Sequence, residues 1–334
     1  MRVGMYYSNH DVRVEEMPEP KIGAGELLVR VMASGVCGTD VVEWYRRDKV
    51  PLVLGHEIAG EIVESGEGVS QHRIGDRISA SHHVPCGECH YCRMGHHSVC
   101  DTLRKTKFYP GGFSEFLRLP AINVEKGVYK IPDNVSYEEA TFTEPLACVI
   151  RGQRLAGYKK DQRLLVIGSG ISGLLHIQLA KSKGFGKITA TDINDYRLKQ
   201  ALRFGADEAI CAKDFKAEKV ADLVILCAGA ESAFEQALKA VDRGGTILVF
   251  ASAEKGLKLT LPLNEFFWRN EVTIISSYAA DPEEHLQALK LIKDKKVNVK
   301  DMITHRFELG DIQKGFKLVA EAGESIKVII EPQL

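Results

Sequence analysis

No run of eighteen consecutive apolar residues occurs in this chain of 334 residues, so a bilayer-spanning helix has no candidate segment. The opening MRVGMYYSNHDVRV lacks the basic stretch followed by an apolar one that marks a secretory leader, which points to a soluble, cytoplasmic protein. Neither sign of charge is in excess. Lys and Arg total 44 against 45 for Asp and Glu, a formal net charge of -1, and that balance supplies no basic field for a phosphate backbone or an anionic membrane. Internal repeats and low-complexity tracts are also lacking, which excludes solenoids. The charge run KLIKDKKVNVK reads as a solvated helix end.

What is present is enough apolar material for two cores, 45% of the residues, and two domains imply a cleft between them. Eight cysteines in a chain of this size, with no leader, point to reduced thiols or metal ligands rather than a disulfide scaffold. Their spacing is uneven. Cys86, Cys89, Cys92 and Cys100 crowd into fifteen residues, while Cys37, Cys148, Cys211 and Cys227 are scattered.

The first 145 or so residues consist of short β-like runs broken by Gly and Pro (ELLVRVMASGV, HEIAGEIVESG, RISASHHV), the texture of an irregular, mostly antiparallel barrel. From about Gln162 strands alternate with helices: RLLVIGSG, a helix over 171–183, KITATDI, a helix over 194–204, EAIC, DLVILCA, a helix near 232–241, GGTILVF and EVTIISS. Such alternation predicts a parallel, doubly wound sheet. A helix over 282–293 follows, and the tail ITHRFELGDIQKGFKLV to IKVIIEP is expected to return to the first domain.

Gly168, Gly170 and Gly173 form a GxGxxG at the junction of an apolar strand with a helix that Ile171 opens. The first glycine permits a tight turn, the second admits a pyrophosphate against the backbone, and the third allows close helix packing, with the helix N-terminus facing the anion. Nineteen residues past Gly173, Asp192 ends the next strand, where a carboxylate accepts ribose hydroxyls and repels a 2′-phosphate, favouring NAD over NADP. Arg197 is either a phosphate ligand or a residue of an exposed helix face.

Two metal sites are expected. The four clustered cysteines offer four thiolates in one loop with no vacant position, the pattern of a closed structural zinc. A second set is dispersed: Cys37 in SGVCGTD, His56 and Glu57 in GHEIAGEIVESG, and Glu144 in FTEPLACV. An N/O/S set with about three protein ligands suits a catalytic zinc that keeps a position open.

The segment GHEIAGEIVESGEGV, with Gly55, His56, Glu57, Gly60, Gly66 and Val69, resembles the zinc-alcohol-dehydrogenase signature of the medium-chain dehydrogenase/reductase superfamily. CGTD, the four-cysteine lobe, Glu144-Pro145 and the GxGxxG fall in that family's order, so the resemblance covers essentially the whole chain. It implies a GroES-like β-barrel catalytic domain (1–148 and 279–334, with the structural-zinc lobe at 86–100), a Rossmann doubly wound domain (149–278), two zinc ions, NAD, and a homodimer or homotetramer. Glu144 stands where ethanol-type members carry Cys, which places the chain with the sorbitol, threonine and sugar dehydrogenases. Carried over, Cys37 and His56 bind zinc, and Glu57 and Glu144 serve as ligand or as partner of the zinc-bound water. Asp40 accepts the free N–H of His56 and fixes its tautomer, and Thr39 carries the proton out.

Two departures stand out: Val42 where many relatives have a relay His, and Glu43 where the sorbitol enzymes have a Tyr. In the tail, Arg306 in THRF resembles a substrate-side Arg able to recognise a carboxylate or hydroxyls, and a structural salt bridge is its other reading. The expected reaction is oxidation of a secondary alcohol on a polyol, cyclitol, sugar acid or hydroxy-amino acid. L-Threonine 3-dehydrogenase activity, a non-catalytic dinucleotide-binding protein and a zinc-module nucleic-acid binder are the alternatives.

Overall fold

The computed structural model describes residues 1–216 and 218–334. Its contacts divide into two units: Met1–Ala147 with Ala279–Lys295 and Val299–Leu334, and Cys148–Tyr278 with Lys296–Asn298.

The first unit is the β-rich one. A three-stranded antiparallel sheet is made by Arg2–Ser8, Asp11–Glu16 and Leu52–Val53. The larger sheet runs through Ile303–Glu308, Lys327–Glu331, Leu27–Gly35, Glu57–Ser65, Arg77–Ala80 and Val128–Lys130, with Phe116–Leu119 also paired to Leu27–Gly35. Its first two strands come from the tail, which returns to this unit as the sequence predicts, and all its pairings except theirs are antiparallel. Leu27, Val29, Val31, Ile58, Ile62 and Ile78 form one apolar core.

The second unit is a six-stranded, wholly parallel sheet. In chain order its strands are Leu164–Ile167, Ile188–Asp192, Glu208–Cys211, Ala221–Leu226, Val241–Val249 and Thr273–Ser276; across the sheet they lie third, second, first, fourth, fifth, sixth. That order places the ends of the first and fourth strands at a topological switch point, where open α/β sheets bind ligands. Leu164–Ile167 is buried at every position, as a strand covered by helices on both faces requires. Helix Glu231–Ala240 brings Ala233, Ala237 and Ala240 against Leu165, Ile167 and Val224, small side chains letting the helix sit close. Ala237, fully buried, is a position where Leu would overpack the interface by about 1–3 kcal/mol.

Helix ends follow the capping residues. Ile171–Lys183 ends at Gly184, which adopts φ 75°. Asn194 caps Asp195–Arg203 by accepting from the N–H groups of Tyr196 and Arg197. Asp281 and Glu284 form a reciprocal capping box on Pro282–Lys293, whose proline sits in the first turn.

Candidate functional site

Cys37 leaves the strand Leu27–Gly35 and caps the short 3-10 turn Gly38–Val41; His56 and Glu57 enter the neighbouring strand Glu57–Ser65. Gly35 and Glu57 face each other across that pairing, so sheet register alone brings the two segments together. One donor atom each of Cys37, His56 and Glu57 lies within 4.8 Å of the others. A thiolate, an imidazole and a carboxylate at this separation match the donor chemistry of a zinc site with an open position. Glu144, half-buried in the first turn of helix Thr143–Leu155, stands outside this group.

Asp40 is completely buried, its Oδ2 accepting from the Cys37 N–H at 3.0 Å and its Oδ1 lying 3.5 Å from His56 Nδ1 and 3.6 Å from the Arg46 guanidinium. This leaves His56 Nε2 for a metal, the orientation expected of a carboxylate behind a ligating imidazole. Burial works against a charged His56 ring, yet Asp40 and Cys37 outweigh it and raise its pKa well above the ordinary range. The surroundings thus favour positive charge here, whether a proton or a metal supplies it. Thr39 directs its hydroxyl at the Cys37 sulfur, 3.3 Å away, and its N–H at 3.5 Å. Val42 offers no titrating group, and Glu43 accepts from the backbone N–H of Asn9 at 3.0 Å.

The four-cysteine loop closes as expected. One sulfur each of Cys86, Cys89, Cys92 and Cys100 lies within 4.8 Å of the others, and the Cys86 sulfur is 3.6 Å from that of Cys100. N–H groups of Cys86 and Cys89 point at sulfurs of Cys100 and Cys86, at 3.5 and 3.3 Å, which favours thiolates. His97 ties this lobe to the helix Pro282–Lys293 through Asp281, 3.1 Å away.

In the second unit Gly168 takes φ 93°, and a Cβ at Gly173 would strike the Gly168 carbonyl, so both glycines are required by the turn. Asp192, 6% exposed, accepts from the N–H of Ser169 at 2.7 Å and of Asn194 at 2.9 Å. The Arg197 guanidinium lies 3.9 Å from the position a Cβ would take on Gly170, and its Nε is buried without a partner. It therefore leans over the glycine turn, which overturns the reading of Arg197 as a residue of an exposed helix face. Ile171 begins the helix beside it.

Arg306 is paired through Nε with Glu138. The salt-bridge reading describes its place, and a guanidinium so held is less free to meet a substrate.

Two features escape the sequence reading. Lys327 is wholly buried and bonded to Glu57; a lone lysine inside the apolar run IKVII was the available signal. The His82 ring lies 4.7 Å from that of His56 and 3.8 Å from that of His83. Burial first, then the neighbouring imidazoles, hold its pKa well below the ordinary range, so it is a neutral wall of the site.

Comparison with known proteins agrees with this geometry. Residues 23–133 match the alcohol dehydrogenase GroES-like domain family and residues 172–294 the zinc-binding dehydrogenase family. A sorbitol dehydrogenase of Halalkalibacterium halodurans is 31% identical, covering 96% of this chain and 95% of its own. An L-threonine 3-dehydrogenase of Bacillus licheniformis is 33% identical over 95% of this chain and 94% of its own. Among solved structures, an alcohol dehydrogenase from Escherichia coli CFT073 complexed with NADH superposes with a TM-score of 0.87 at 27% identity, covering 99% of both chains.

Proposed function

The chain belongs to the zinc-dependent medium-chain dehydrogenases, and from that membership we propose that it oxidises a secondary alcohol on a polyol, cyclitol, sugar acid or hydroxy-amino acid to the ketone, with NAD as hydride acceptor. The observation that carries the reading is the Cys37, His56 and Glu57 donor set with the Thr39 hydroxyl on the cysteine sulfur. When bound, zinc lowers the pKa of the substrate hydroxyl and the nicotinamide accepts the hydride. Cys37 and His56 hold the metal, and Asp40 fixes the imidazole. Thr39, able to donate and accept, takes the hydroxyl proton toward solvent. Glu144 is the further carboxylate available to the metal or its water. Gly168, Gly170, Ile171 and Gly173 would cradle the pyrophosphate, with Arg197 over the glycine turn as a phosphate ligand and Asp192 at the adenosine ribose. Arg306, held through Nε by Glu138, is the candidate for a polar substrate group.

A second reading, L-threonine 3-dehydrogenase, is favoured by the 33% identical relative. Val42 in place of a relay His weighs against it. One assay separates these readings and a non-catalytic one: NADH absorbance with a panel of polyols, cyclitols, sugar acids and L-threonine, with and without chelator. Silence across the panel by the zinc-loaded protein would remove the enzymatic reading, and DNA binding that weakens with salt would revive the nucleic-acid one.

The partner expected besides the substrate is a second copy of the chain. Strand Thr273–Ser276 is the outer edge of the parallel sheet, and Ile274, Leu263, Phe267 and Trp268 near it are 40%, 65%, 40% and 67% exposed. An open edge bordered by apolar side chains suits pairing across a two-fold axis. Among the described residues no helix is long and apolar enough to cross a membrane. A cytoplasmic setting is proposed as well, because the thiolates that both metal sites need stay reduced there.

A further inference from the structure

Lys327 and Glu57 are 0% and 1% exposed and are bonded to each other, although 270 residues separate them in the chain. Three adjacent strands build the pair. Gly35 lies opposite Glu57 on one side and opposite Ile329, two residues from Lys327, on the other. A Cβ at position 35 would fall on the Glu57 carboxylate and on Cε and Nζ of Lys327, so the glycine leaves the space that the pair fills. The ammonium also lies 3.4 Å from the carbonyl of Val36 and 5.5 Å from the centre of the Phe142 ring. It thus sits between the residue before Cys37 and the residue after His56.

A buried ammonium is tolerated only where an opposite charge balances it, and here Glu57 supplies that charge. The same carboxylate is one of the three donors gathered within 4.8 Å. Glu57 therefore has two cationic claimants, and whatever charge it shares with the ammonium is unavailable to a metal. A metal held by these donors would also be repelled by the ammonium.

We propose that Lys327 is a positioning residue that competes with the catalytic metal for Glu57. It keeps the carboxylate beside the metal, weakens it as a ligand, and so leaves one coordination position exchangeable for the substrate oxygen. This rests on the metal-site reading above. It makes the C-terminal strand Lys327–Glu331 part of the metal centre's charge balance.

The test is metal affinity, read by chelator competition with zinc and by the visible absorption of the cobalt(II)-loaded protein, with Cys37→Ser giving the background of the four-cysteine site. Lys327→Met is expected to bind metal on the order of tenfold more tightly than wild type and to change the cobalt spectrum, because Glu57 then belongs to the metal alone. Lys327→Arg should stay close to wild type. A purely structural lysine would, on removal, loosen the site and weaken binding, so unchanged or weaker affinity in Lys327→Met overturns the proposal. If that variant does not fold, the neutral double variant Lys327→Met/Glu57→Gln decides. Affinity within about tenfold of wild type supports two cancelling roles, and a larger loss shows Glu57 to be an uncontested ligand and overturns it. Failure of the underlying reading looks different: Cys37→Ser would then hold as much metal as wild type.

Discussion

The carboxylate of Asp192 accepts the backbone N–H of Ser169 at 2.7 Å, locking the end of the second parallel strand onto the glycine turn of the first. Each oxygen retains lone pairs for ribose hydroxyls, and a 2′-phosphate placed there would meet an unpaired negative charge. Preference for NAD of at least about tenfold in kcat/KM is expected, worth ~1.4 kcal/mol. Asp192→Ala should narrow that gap. It should also lower stability by about 1–3 kcal/mol, because the Ser169 N–H loses its acceptor in a buried place. Steady-state kinetics with both cofactors, beside thermal melts, check the two effects; equal use of NADP by wild type contradicts the first.

Two zinc ions per chain with separable roles are expected from the two donor sets. Cys100→Ser or Cys89→Ser should cost stability and solubility, since a closed four-sulfur site couples metal binding to folding. Cys37→Ser should give a folded protein with one zinc and little turnover. Elemental analysis settles the count: unchelated wild type containing one zinc or none is incompatible with this assignment.

Much of this was legible in sequence because the signals were local. Helices over 171–183 and 282–293 coincide with the predicted ranges, their ends fixed by Gly184 and by the Asp281 capping box. The four cysteines and the glycine turn are each contained in one short segment. What could not be read depended on distant pairing. Lys327 meets Glu57 only because two strands 270 residues apart flank the same third strand. Arg197 leans over the glycine turn because its helix packs on the second and third strands and on the helix that the turn opens, a direction that periodicity alone does not give. Arg306 finds Glu138, 168 residues away, for the same reason.

Acid should destabilise the second unit through His176. Burial pushes its pKa down to about 3; its ring stands edge-on to Phe250, 4.6 Å away. A depressed value means that the unfolded chain takes up the proton first. Its contribution is complete above about pH 6.5 and falls as pH drops toward 3, by up to ~1.4 kcal/mol per pH unit. His176→Met, which leaves the Gln153 side chain its bond to the residue-176 carbonyl, should flatten this dependence. Urea midpoints at pH 7 and pH 5 measure it, and equal losses in variant and wild type would assign the acid sensitivity elsewhere.

The exposed sheet edge should hold two copies together. Ile274→Lys combined with Trp268→Glu places charge on the edge strand and on its apolar border, where burial without a partner is costly. The wild type is expected to sediment as a dimer or tetramer and the double variant as a smaller species with its fold intact. A variant that keeps the wild-type mass would move the interface to another surface.

The proton's route is the most specific expectation, because the geometry now constrains it. Oxidation requires the substrate hydroxyl to lose a proton beside the metal, and the hydroxyl seen there belongs to Thr39, 3.3 Å from the Cys37 sulfur. That contact admits two readings. As a relay, Thr39 turns its O–H from the sulfur to the next acceptor, offers an oxygen lone pair to the substrate hydroxyl, accepts its proton and passes its own on. As packing, it only donates to the thiolate and steadies Cys37, a role its backbone N–H shares at 3.5 Å. The resemblance implies a relay histidine where this chain has Val42, so the proton is expected to leave Thr39 by a path that uses no imidazole at that position. Thr39→Ser, which keeps the hydroxyl, should remain active. Thr39→Val keeps the shape and removes the donor, and should lower kcat on the order of a hundredfold, the usual range for a positioned proton-transfer group. Val42→His should be tolerated and should alter the pH–rate profile by adding an imidazole that titrates near neutrality. The comparison has meaning only with zinc content and NAD affinity held at wild-type values. Under those conditions a Thr39→Val rate within about threefold of wild type leaves the hydroxyl with the packing role alone.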